Sequence, residues 1–410
     1  MSEILFIAHR IPFPPDRGDK IRSHHVLRRL AELGPVHVAC FADDPEDLRH
    51  EPALAELAAS HGLVRRNRPL PVAGLAALAR GLPVSLTAFA DARLQSYVAR
   101  VLATRPVSAI YVFSGQMGQY VPEGFDGRVV IDLVDVDSAK FEAYAAGVSG
   151  VRHWLYARED RLLRAEEARL VGRAGLTVLV SAEEADLLRR RLPHGVDGAV
   201  TAMGNGVDTA WYDPERVPPE PALSGTEGPR LIFTGQMDYP PNVAAAVRAA
   251  TRIMPVIRQV FPSASLEIVG RRPTAAVLAL DGLNGCRVRG AVADVRPWLR
   301  GADLALTPLD IARGIQNKVL EAMAMSLPVV ASPGAATGIA ARAGVELAVA
   351  DDDAAMARTA MALIANRPAA QAMGAAARRF VEQHHAWPAV LAPLAAALGF
   401  PSSGALCDAA

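Results

Sequence analysis

The sequence predicts an α/β protein with two doubly wound parallel sheets, one in each half of the chain. Short apolar runs such as EILFIAH and VHVACFA alternate with longer segments of helical periodicity, and the same alternation resumes later with RLIFTG and SLEIVG. Strands that alternate with helices are typical of parallel sheets. Residues 213–230, between the two stretches, are rich in Pro, Gly and Glu, as linkers often are. The 410 residues are enough for two domains.

The alternation places the elements in order along the chain. After the strand EILFIAH we expect a helix over residues 23–32, because Val26, Leu27 and Leu30 form one apolar stripe. The other predicted strands are residues 36–42, 108–113, 128–134, 176–181, 230–235, 265–270, 286–290, 304–309 and 328–332. We expect a first domain over residues 1–205, a linker over 206–230, a second domain over 231–380, a helix over 381–400 that packs back on the first domain, and a frayed tail over 401–410.

Composition and motifs argue against several classes of protein. The formal net charge is zero, so we expect no nucleic-acid partner. The three cysteines have no metal-binding spacing and favour a reducing compartment. No apolar run is long enough for a membrane span, and the N-terminal one lacks the flanks of a signal peptide. Neither a GxGxxG after the first strand nor a P-loop occurs. We therefore expect a cytoplasmic protein with membrane contact only at its surface, peripheral at the inner face.

The segment ARGIQNKVLEAMAMSLPVVAS, residues 312–332, carries the strongest indication of a ligand site. The chain has only three lysines, and one of them, Lys318, lies in this segment. We expect a loop at Arg313 and Gly314 that leads into a helix beginning near Gln316. Glycine lets a backbone approach a ligand closely. The free amides of a helix N-terminus, with two cationic side chains beside them, suit a diphosphate.

Glu321 lies one helical turn after Asn317 and next to Lys318 on the same predicted helix. Its carboxylate can accept hydrogen bonds from two sugar hydroxyls, as an acid does for ribose in dinucleotide-binding folds. The structural alternative is a core helix in which Glu321 only pairs with Lys318.

Two loops of the first domain follow apolar strands and carry charged residues. The loop PPDRGDKIR offers Gly18 for a close backbone approach, together with Lys20 and Arg22. The segment DLVDVDS places Asp132 and Asp135 at the end of a strand, where buried carboxylates need partners. Clustered carboxylates also suit magnesium, and capping of the next helix is a structural alternative. We expect no metal, because cations and a helix terminus elsewhere can neutralise a phosphate.

Three further segments of the chain offer contacts to a ligand or a surface. Gln236 follows the first strand of the second domain, and Gly290 and Val292 lie where backbone groups can meet a flat base. The segment VRHWLYAREDRLLRAEEARLVGR carries Trp154, Leu155, Leu162 and Leu163 among arginines and acids, which favours contact with a membrane or a lipid-linked acceptor. A solvated helix with i, i+4 ion pairs is the alternative.

Several of these segments together resemble a known family. FTGQMDYPPN, VRGAVADVRPWL and RGIQNKVLEAMAMSLPVVAS resemble the retaining nucleotide-sugar glycosyltransferases of sequence family 4. NGVD, at residues 205–208, resembles the segment that precedes their interdomain linker. PPDRGDKIRSHH and DLVDVDSAKF, combined with RGIQNKVLEAMA, are similar to the sugar transferases associated with PEP-CTERM/exosortase exopolysaccharide clusters. The resemblance implies the GT-B fold, in which two Rossmann-like domains face a cleft.

The resemblance also implies an activity. It is the metal-independent transfer of a sugar, with retention, from a UDP- or GDP-linked donor to a glycan or lipid-linked acceptor, without a cofactor. In this pattern Glu321 is the second acid of an E-x7-E motif and binds the donor ribose, Gly314 meets the phosphates, and Gly18 matches a small-residue loop near the reacting centre. The expected donor-binding residues are Gly18, Gln236, Gly290, Val292, Gly314, Asn317, Lys318 and Glu321. Lys20, Arg22 and Asp132 are expected on the acceptor side, and Asp135, Lys318 and Arg313 are the catalytic candidates.

The sequence departs from the family pattern at three positions. Arg313 stands where the first acid of the motif is expected, and Gln236 and Asn242 stand where family members usually carry Arg and Lys. Our hypothesis is that Arg313 and Lys318 supply the missing charges from the helix entry. The departures also leave open a non-catalytic sugar-binding or scaffold subunit. A nucleotide-sugar epimerase on the same fold is the other alternative, although it should carry more acids and histidines in its cleft.

Overall fold

The computed structural model describes residues 2–16, 18–223, 225, 228–310 and 315–401, which form two compact units. The described residues up to Asn205 and those from Val390 on make the first unit, and Gly206–Ala389 make the second. Each unit contains one parallel sheet flanked by helices. The prediction of an α/β protein with two doubly wound sheets is confirmed.

The first unit has a sheet of seven parallel strands in the order β3-β2-β1-β4-β5-β6-β7. Its strands are β1 Glu3–Ala8, β2 Val36–Ala42, β3 Ser60–Arg65, β4 Val107–Phe113, β5 Arg128–Val134, β6 Leu176–Leu179 and β7 Val200–Ala202. Its helices are α1 Gly18–Leu33, α2 Glu51–Leu57, α3 Leu70–Arg80, α4 Val84–Ala88, α5 Ala92–Thr104, α6 Asp137–Ala146, α7 Gly150–Arg173 and α8 Ala182–Arg191.

The second unit has a sheet of six parallel strands in the order β10-β9-β8-β11-β12-β13. Its strands are β8 Arg230–Thr234, β9 Ser265–Val269, β10 Cys286–Gly290, β11 Leu304–Thr307, β12 Val329–Ala331 and β13 Ala348–Val349. Its helices are α9 Pro240–Arg248, α10 Met254–Val260, α11 Ala275–Leu278, α12 Arg296–Gly301, α13 Asn317–Ala324, α14 Pro333–Ala336, α15 Asp353–Ala365 and α16 Arg367–His384. Two short helices, α17 Trp387–Val390 and α18 Leu394–Ala397, end the described chain.

Burial explains why the central strands are so apolar. Every residue of β1 and of β2 is buried, since helices cover both faces of the sheet. In each sheet the strand order reverses direction, between β1 and β4 in the first unit and between β8 and β11 in the second. Ligands of open α/β sheets bind at the carboxyl ends of strands beside such a reversal. The topology therefore predicts ligand contacts in the loops after β1, β4, β8 and β11.

Two of the expected boundaries differ from the structure. Residues 206–223 are not a free linker, because Val207, Val217 and Leu223 are buried in the core of the second unit. The backbone amide of Glu220 also donates to the carbonyl of Pro297 at 2.9 Å. The expected single helix over 381–400 is wrong as well, since α16 ends at His384 and the chain then forms α17 and α18. Proline limits helix continuation, and Pro388 and Pro393 lie in this stretch.

Within the described ranges, no helix is long and apolar enough to cross a membrane.

Candidate functional site

A pocket of about 740 Å³ lies at the carboxyl ends of the strands of the second unit. We call it the strand-end pocket. It is bounded by the residues that follow β8, β9 and β10 and by the first turn of α13. Its lining residues are Tyr212, Thr234, Gly235, Gln236, Tyr239, Asn242, Val269, Gly270, Arg271, Ala291, Val292, Ala293, Val295, Ile315, Gln316, Asn317, Lys318 and Glu321.

Two glycines allow the ends of β8 and β9 to approach each other at the wall of this pocket. A Cβ on Gly270 would lie only 1.6 Å from the carbonyl oxygen of Gly235, so no side chain fits there. A Cβ on Gly235 would lie 2.8 Å from Nδ2 of Asn242 and 3.1 Å from Nζ of Lys318. The glycines therefore leave room for an ammonium group directly beside the strand end.

Lys318 supplies that ammonium group from the first turn of α13. Its Nζ donates to Oδ1 of Asn242 and lies 5.0 Å from the centroid of the Phe233 ring. Nδ2 of Asn242 in turn donates to the carbonyl of Gln236 at 2.9 Å, so the amide holds lysine and strand end together. Burial lowers the pKa of Lys318 to about 8, although Glu321 acts in the opposite direction. At neutral pH the site still offers a positive charge to an anion.

Glu321 lies one turn further along α13, at the same pocket. Burial raises the pKa of its carboxyl group, while a hydrogen bond from Tyr212 and the charge of Lys318 oppose the shift. The pKa of the Tyr212 hydroxyl is raised by burial and by the neighbouring carboxylate. A carboxylate with one oriented donor keeps further lone pairs for hydroxyl groups of a ligand. The pair is thus suited to holding a diol such as that of a ribose.

The strand-end pocket brings together much of the expected donor site. Gln236, Val292, Asn317, Lys318 and Glu321 line it. Gly290 ends β10 beside the pocket, where its carbonyl accepts from the amide of Gly270 at 2.8 Å. Arg313 and Gly314, the other expected residues of this group, lie outside the described residues.

Gly18 lies elsewhere, at the start of α1 in the first unit. Among the described residues, no atom lies within 4 Å of the position that a Cβ on Gly18 would take. The structure therefore gives no steric reason for glycine at this position.

The side chains expected on the acceptor side are instead paired inside the first unit. Nζ of Lys20 lies 2.6 Å from Oδ1 of Asp47 and donates to the carbonyl of Phe13 at 2.9 Å. Nε of Arg22 donates to Oδ2 of Asp132 at 2.8 Å, and both residues are almost completely buried. The structure corrects the expectation that Lys20, Arg22 and Asp132 face an acceptor, because each charge is neutralised within the core.

Asp135 follows the end of β5 and remains partly exposed. Its carboxylate lies 2.9 Å from Nζ of Lys140, in an ion pair at the surface. Val134, immediately before it, has a φ of 68°, a left-handed conformation that is strained for a β-branched residue. Such strain is often found at functional sites. Ser114, at the end of the neighbouring β4, also has a positive φ, of 79°.

Sequence reasoning missed several residues near the two strand ends. Tyr212 and Arg271 line the strand-end pocket, and the side chain of Asn242 accepts a hydrogen bond from Lys318. In the first unit, His9 follows β1 with its ring stacked on Phe113 at 5.6 Å. Its Nε2 lies 3.3 Å from Oδ2 of Asp19. The position of His9 directly after the first strand was the available signal, whereas nothing in the local sequence indicates the contacts of Tyr212.

The described residues contain no group of three or more His, Cys, Asp or Glu side chains placed to hold a metal ion. Lys140 links Asp135 to Asp137, with Nζ 3.0 Å from Oδ1 of Asp137, so these two carboxylates share a cation that the protein itself provides.

Part of the chain is similar in sequence to known proteins. Residues 228–366 match the model of the family described as Glycosyl transferases group 1. A phosphatidyl-myo-inositol mannosyltransferase from Propionibacterium freudenreichii is 29% identical over 166 residues. That match spans 40% of this chain and 40% of the mannosyltransferase.

Solved structures of similar fold cover nearly the whole chain. Sucrose-phosphate synthase from Thermosynechococcus elongatus is 17% identical with a TM-score of 0.61, covering 97% of this chain and 98% of its own. The Anabaena protein HepE, solved in complex with UDP, is 15% identical with a TM-score of 0.62, covering 97% of this chain and 100% of its own. The chain has the GT-B fold, and its residues 228–366 are similar to the glycosyl transferases group 1 family.

Proposed function

We propose that this protein is a glycosyltransferase that moves a sugar from a nucleoside-diphosphate sugar to a glycan or lipid-linked acceptor. The observation that carries the proposal is the strand-end pocket, in which Lys318 and Glu321 lie side by side within the matched family region. HepE, a protein of the same fold, was solved with UDP and with UDP-glucose. A uridine or guanosine diphosphate sugar is therefore the proposed donor.

The proposed donor contacts follow from the chemistry of the pocket. The ammonium of Lys318 binds the diphosphate, whose negative charge increases as the bond to the sugar breaks, so the same contact stabilises the transition state. Glu321, oriented by Tyr212, accepts hydrogen bonds from the ribose hydroxyls. Gln236, Gly290, Val292 and Asn317 complete the proposed donor site, together with Arg313 and Gly314.

The position of Lys318 supports the relocated-charge hypothesis. Its Nζ lies against Asn242, one of the two positions where the resembling family usually carries a cation. Gln236 after β8 and Asn242 in α9 carry no positive charge. Lys318 of helix α13 places one at the end of β8 instead. A scaffold subunit without donor binding would have no use for a half-buried lysine in this place, because burying an ammonium is unfavourable.

The finer features of the proposal rest on the resemblance. They are retention at the anomeric carbon, independence of metal, a role in exopolysaccharide or cell-surface glycan synthesis of the PEP-CTERM/exosortase type, and Asp135 as a catalytic group. A cytoplasmic location is proposed on the same basis, and the free, buried thiols of Cys40 and Cys286 are compatible with it.

Calorimetric titration tests the donor site. We expect wild type to bind UDP or GDP, and Lys318→Ala to lower that affinity by roughly 10- to 100-fold, since a charge-assisted hydrogen bond contributes about 1.5–3 kcal/mol. The loss should be much smaller for the nucleoside, which has no phosphate. Glu321→Ala should instead remove the preference for UDP over 2′-deoxy-UDP. Arg252→Ala, a control at an exposed cation of the same unit, should bind like wild type.

Three results bear against the proposal. If neither nucleotide bound wild type at millimolar concentration, the glycosyltransferase assignment would be untenable. Equal losses for nucleotide and nucleoside in Lys318→Ala would remove the assigned phosphate contact. Tight binding without sugar transfer to any glycan or lipid-linked acceptor would favour the scaffold alternative.

A further inference from the structure

A second cavity of the second unit lies at the edge of the sheet opposite the strand-end pocket. Its volume is about 560 Å³, which is within the range of pockets that bind small molecules. It is bounded by the residues that precede β8, β11 and β12, by the ends of α12 and α13, and by the start of α16. We call it the strand-start groove. It shares no lining residue with the strand-end pocket among the residues that the structure describes.

The floor of the strand-start groove is apolar. Its apolar lining residues include the buried Leu299, Met325, Leu327 and Leu363 and the partly exposed Phe261 and Ile364. Covering such a surface with the organic part of a ligand is favourable, because apolar area is then removed from water. The floor therefore suits a ligand that has an apolar portion.

Asp303 is the one acid among the described lining residues, and its charge is neutralised by Arg230. Nε of Arg230 donates to Oδ2 of Asp303 at 3.0 Å, and Nη2 donates to Oδ1 at 3.1 Å. The backbone amide of Arg230 also donates to Oδ2 at 2.8 Å. This two-pronged pair joins the starts of β8 and β11, so Asp303 has little charge left to repel an anion in the groove.

Two further arginines lie at the rim of the groove. Arg300 and Arg367 line it and are exposed. Nε of Arg300 donates to the carbonyl of Pro214 at 2.9 Å, which orients the guanidinium without neutralising it. Within the described part of the chain, neither arginine forms an ion pair with a carboxylate. The groove therefore combines an apolar floor with two positive charges that no described acid neutralises.

We propose that the strand-start groove binds a small phosphate monoester whose organic part is apolar. A monoester phosphate carries about 1.5–2 negative charges at pH 7, which matches two guanidinium groups better than the single charge of a carboxylate does. Guanidinium groups also donate paired hydrogen bonds to phosphate oxygens. The phosphate lies between Arg300 and Arg367, and the organic part lies on the floor. The proposal does not rest on sugar transfer, since the donor site is a separate pocket.

Calorimetric titration of phenyl phosphate into the full-length Lys318→Ala variant tests the proposal. This substitution removes the phosphate contact assigned to the strand-end pocket, so phosphate binding there does not contribute. We expect phenyl phosphate to bind. Inorganic phosphate should bind roughly 10-fold more weakly because it lacks the apolar part, and benzoate roughly 10-fold more weakly because it has a single charge.

Two substitutions, each added to Lys318→Ala, separate the charges from the floor. Arg300→Gln, Arg367→Gln should lower the affinity for both phenyl phosphate and inorganic phosphate by roughly 10-fold or more. Ala370 lines the groove and is partly buried, so Ala370→Phe places a ring in the space of the organic part. It should weaken phenyl phosphate by roughly 10-fold and leave inorganic phosphate nearly unchanged. Far-ultraviolet circular dichroism and thermal melting verify that the variants are folded.

The matched control is Arg252→Gln, Arg358→Gln, which removes two exposed arginines of the same unit that do not line the groove. It should bind phenyl phosphate like its parent. No binding of phenyl phosphate at millimolar concentration, or equal losses in the control and in Arg300→Gln, Arg367→Gln, would overturn the proposal. Unchanged binding of phenyl phosphate by Ala370→Phe would overturn the assigned ligand class, because the organic part would then not lie on the floor. Binding of UDP by wild type is a separate measurement, so failure of the donor site and failure of the groove are distinguishable.

Discussion

The pocket lowers the pKa of Lys318 into a pH range in which ligand binding can be measured. Burial lowers its pKa to about 8, so the ammonium is largely charged at pH 7 and largely neutral at pH 9. A diphosphate is attracted to the ammonium and not to the amine. We therefore expect the affinity for UDP, measured by calorimetry, to fall roughly tenfold between pH 7 and pH 9.

Lys318→Arg is the control for this pH dependence. A guanidinium remains charged across the whole range, so the variant should lose the fall in affinity even if its absolute affinity differs. A wild-type profile that stays flat up to pH 9 would contradict the assignment of Lys318 as the phosphate contact.

At the same scale, the sequence indicated some functional residues and misplaced others for a clear reason. Lys318 and Glu321 lie three residues apart in one short segment, so local sequence was enough to identify both as candidates. Asn242 binds Lys318 from 76 residues away, a distance that local patterns do not span. Lys20, Arg22 and Asp132 were expected on the acceptor side because they lie in or beside loops that follow apolar strands of the first domain. Whether a charged side chain has a partner in the core depends on tertiary contacts. Here Lys20 pairs with Asp47, and Arg22 pairs with Asp132.

At the scale of elements, the close approach of β8 and β9 shapes the strand-end pocket. We expect Gly270→Ala to destabilise the second unit by about 2 kcal/mol or more, because the new methyl would meet the carbonyl of Gly235. Urea unfolding measures the loss, and UDP affinity should fall with it as the wall of the pocket shifts.

Gly172→Ala is the control for that substitution. Gly172 lies within α7, and a Cβ there would meet no described atom within 4 Å. The variant should be as stable as wild type or slightly more stable, because alanine favours helix over glycine by about 1 kcal/mol. Equal stability of Gly270→Ala and wild type would show that the two strand ends separate freely.

The predictable elements were those with a complete apolar pattern. The central strands β1, β2, β4, β5, β8 and β9 were expected from the sequence because both faces are covered and the runs are continuous. Among the edge strands, β10 was expected over residues 286–290, but β3, β7 and β13 were not. β3 reads SHGLVR, and β13 has only two residues, so neither shows an apolar run. Edge strands are less completely buried than central ones, so their apolar pattern in the sequence is weaker.

At the scale of the whole molecule, the chain crosses from the first unit to the second and returns at its end. Residues from Val390 on cluster with the first unit, although α16 and most of α17 belong to the second. Leu391, Leu394 and Leu398 of this returning segment are at most 2% exposed. A Cβ on Gly34 would lie 3.5 Å from the ring of Phe400, so the segment reaches the end of α1. The stability of the first unit therefore depends on residues that follow the second in sequence.

A chain that ends at Ala389 should lose stability in the first unit only. Removing three buried leucines forfeits about 5 kcal/mol of apolar burial and uncovers the surface on which they pack. Hydrogen–deuterium exchange followed by mass spectrometry should show faster exchange in β1 and β4, with unchanged protection in β8 and β9 and retained UDP binding. A chain that ends at Pro401 is the control and should exchange like the full chain. Uniform loss of protection in both sheets would mean that the two units unfold as one cooperative body, and the returning segment would then stabilise the whole protein.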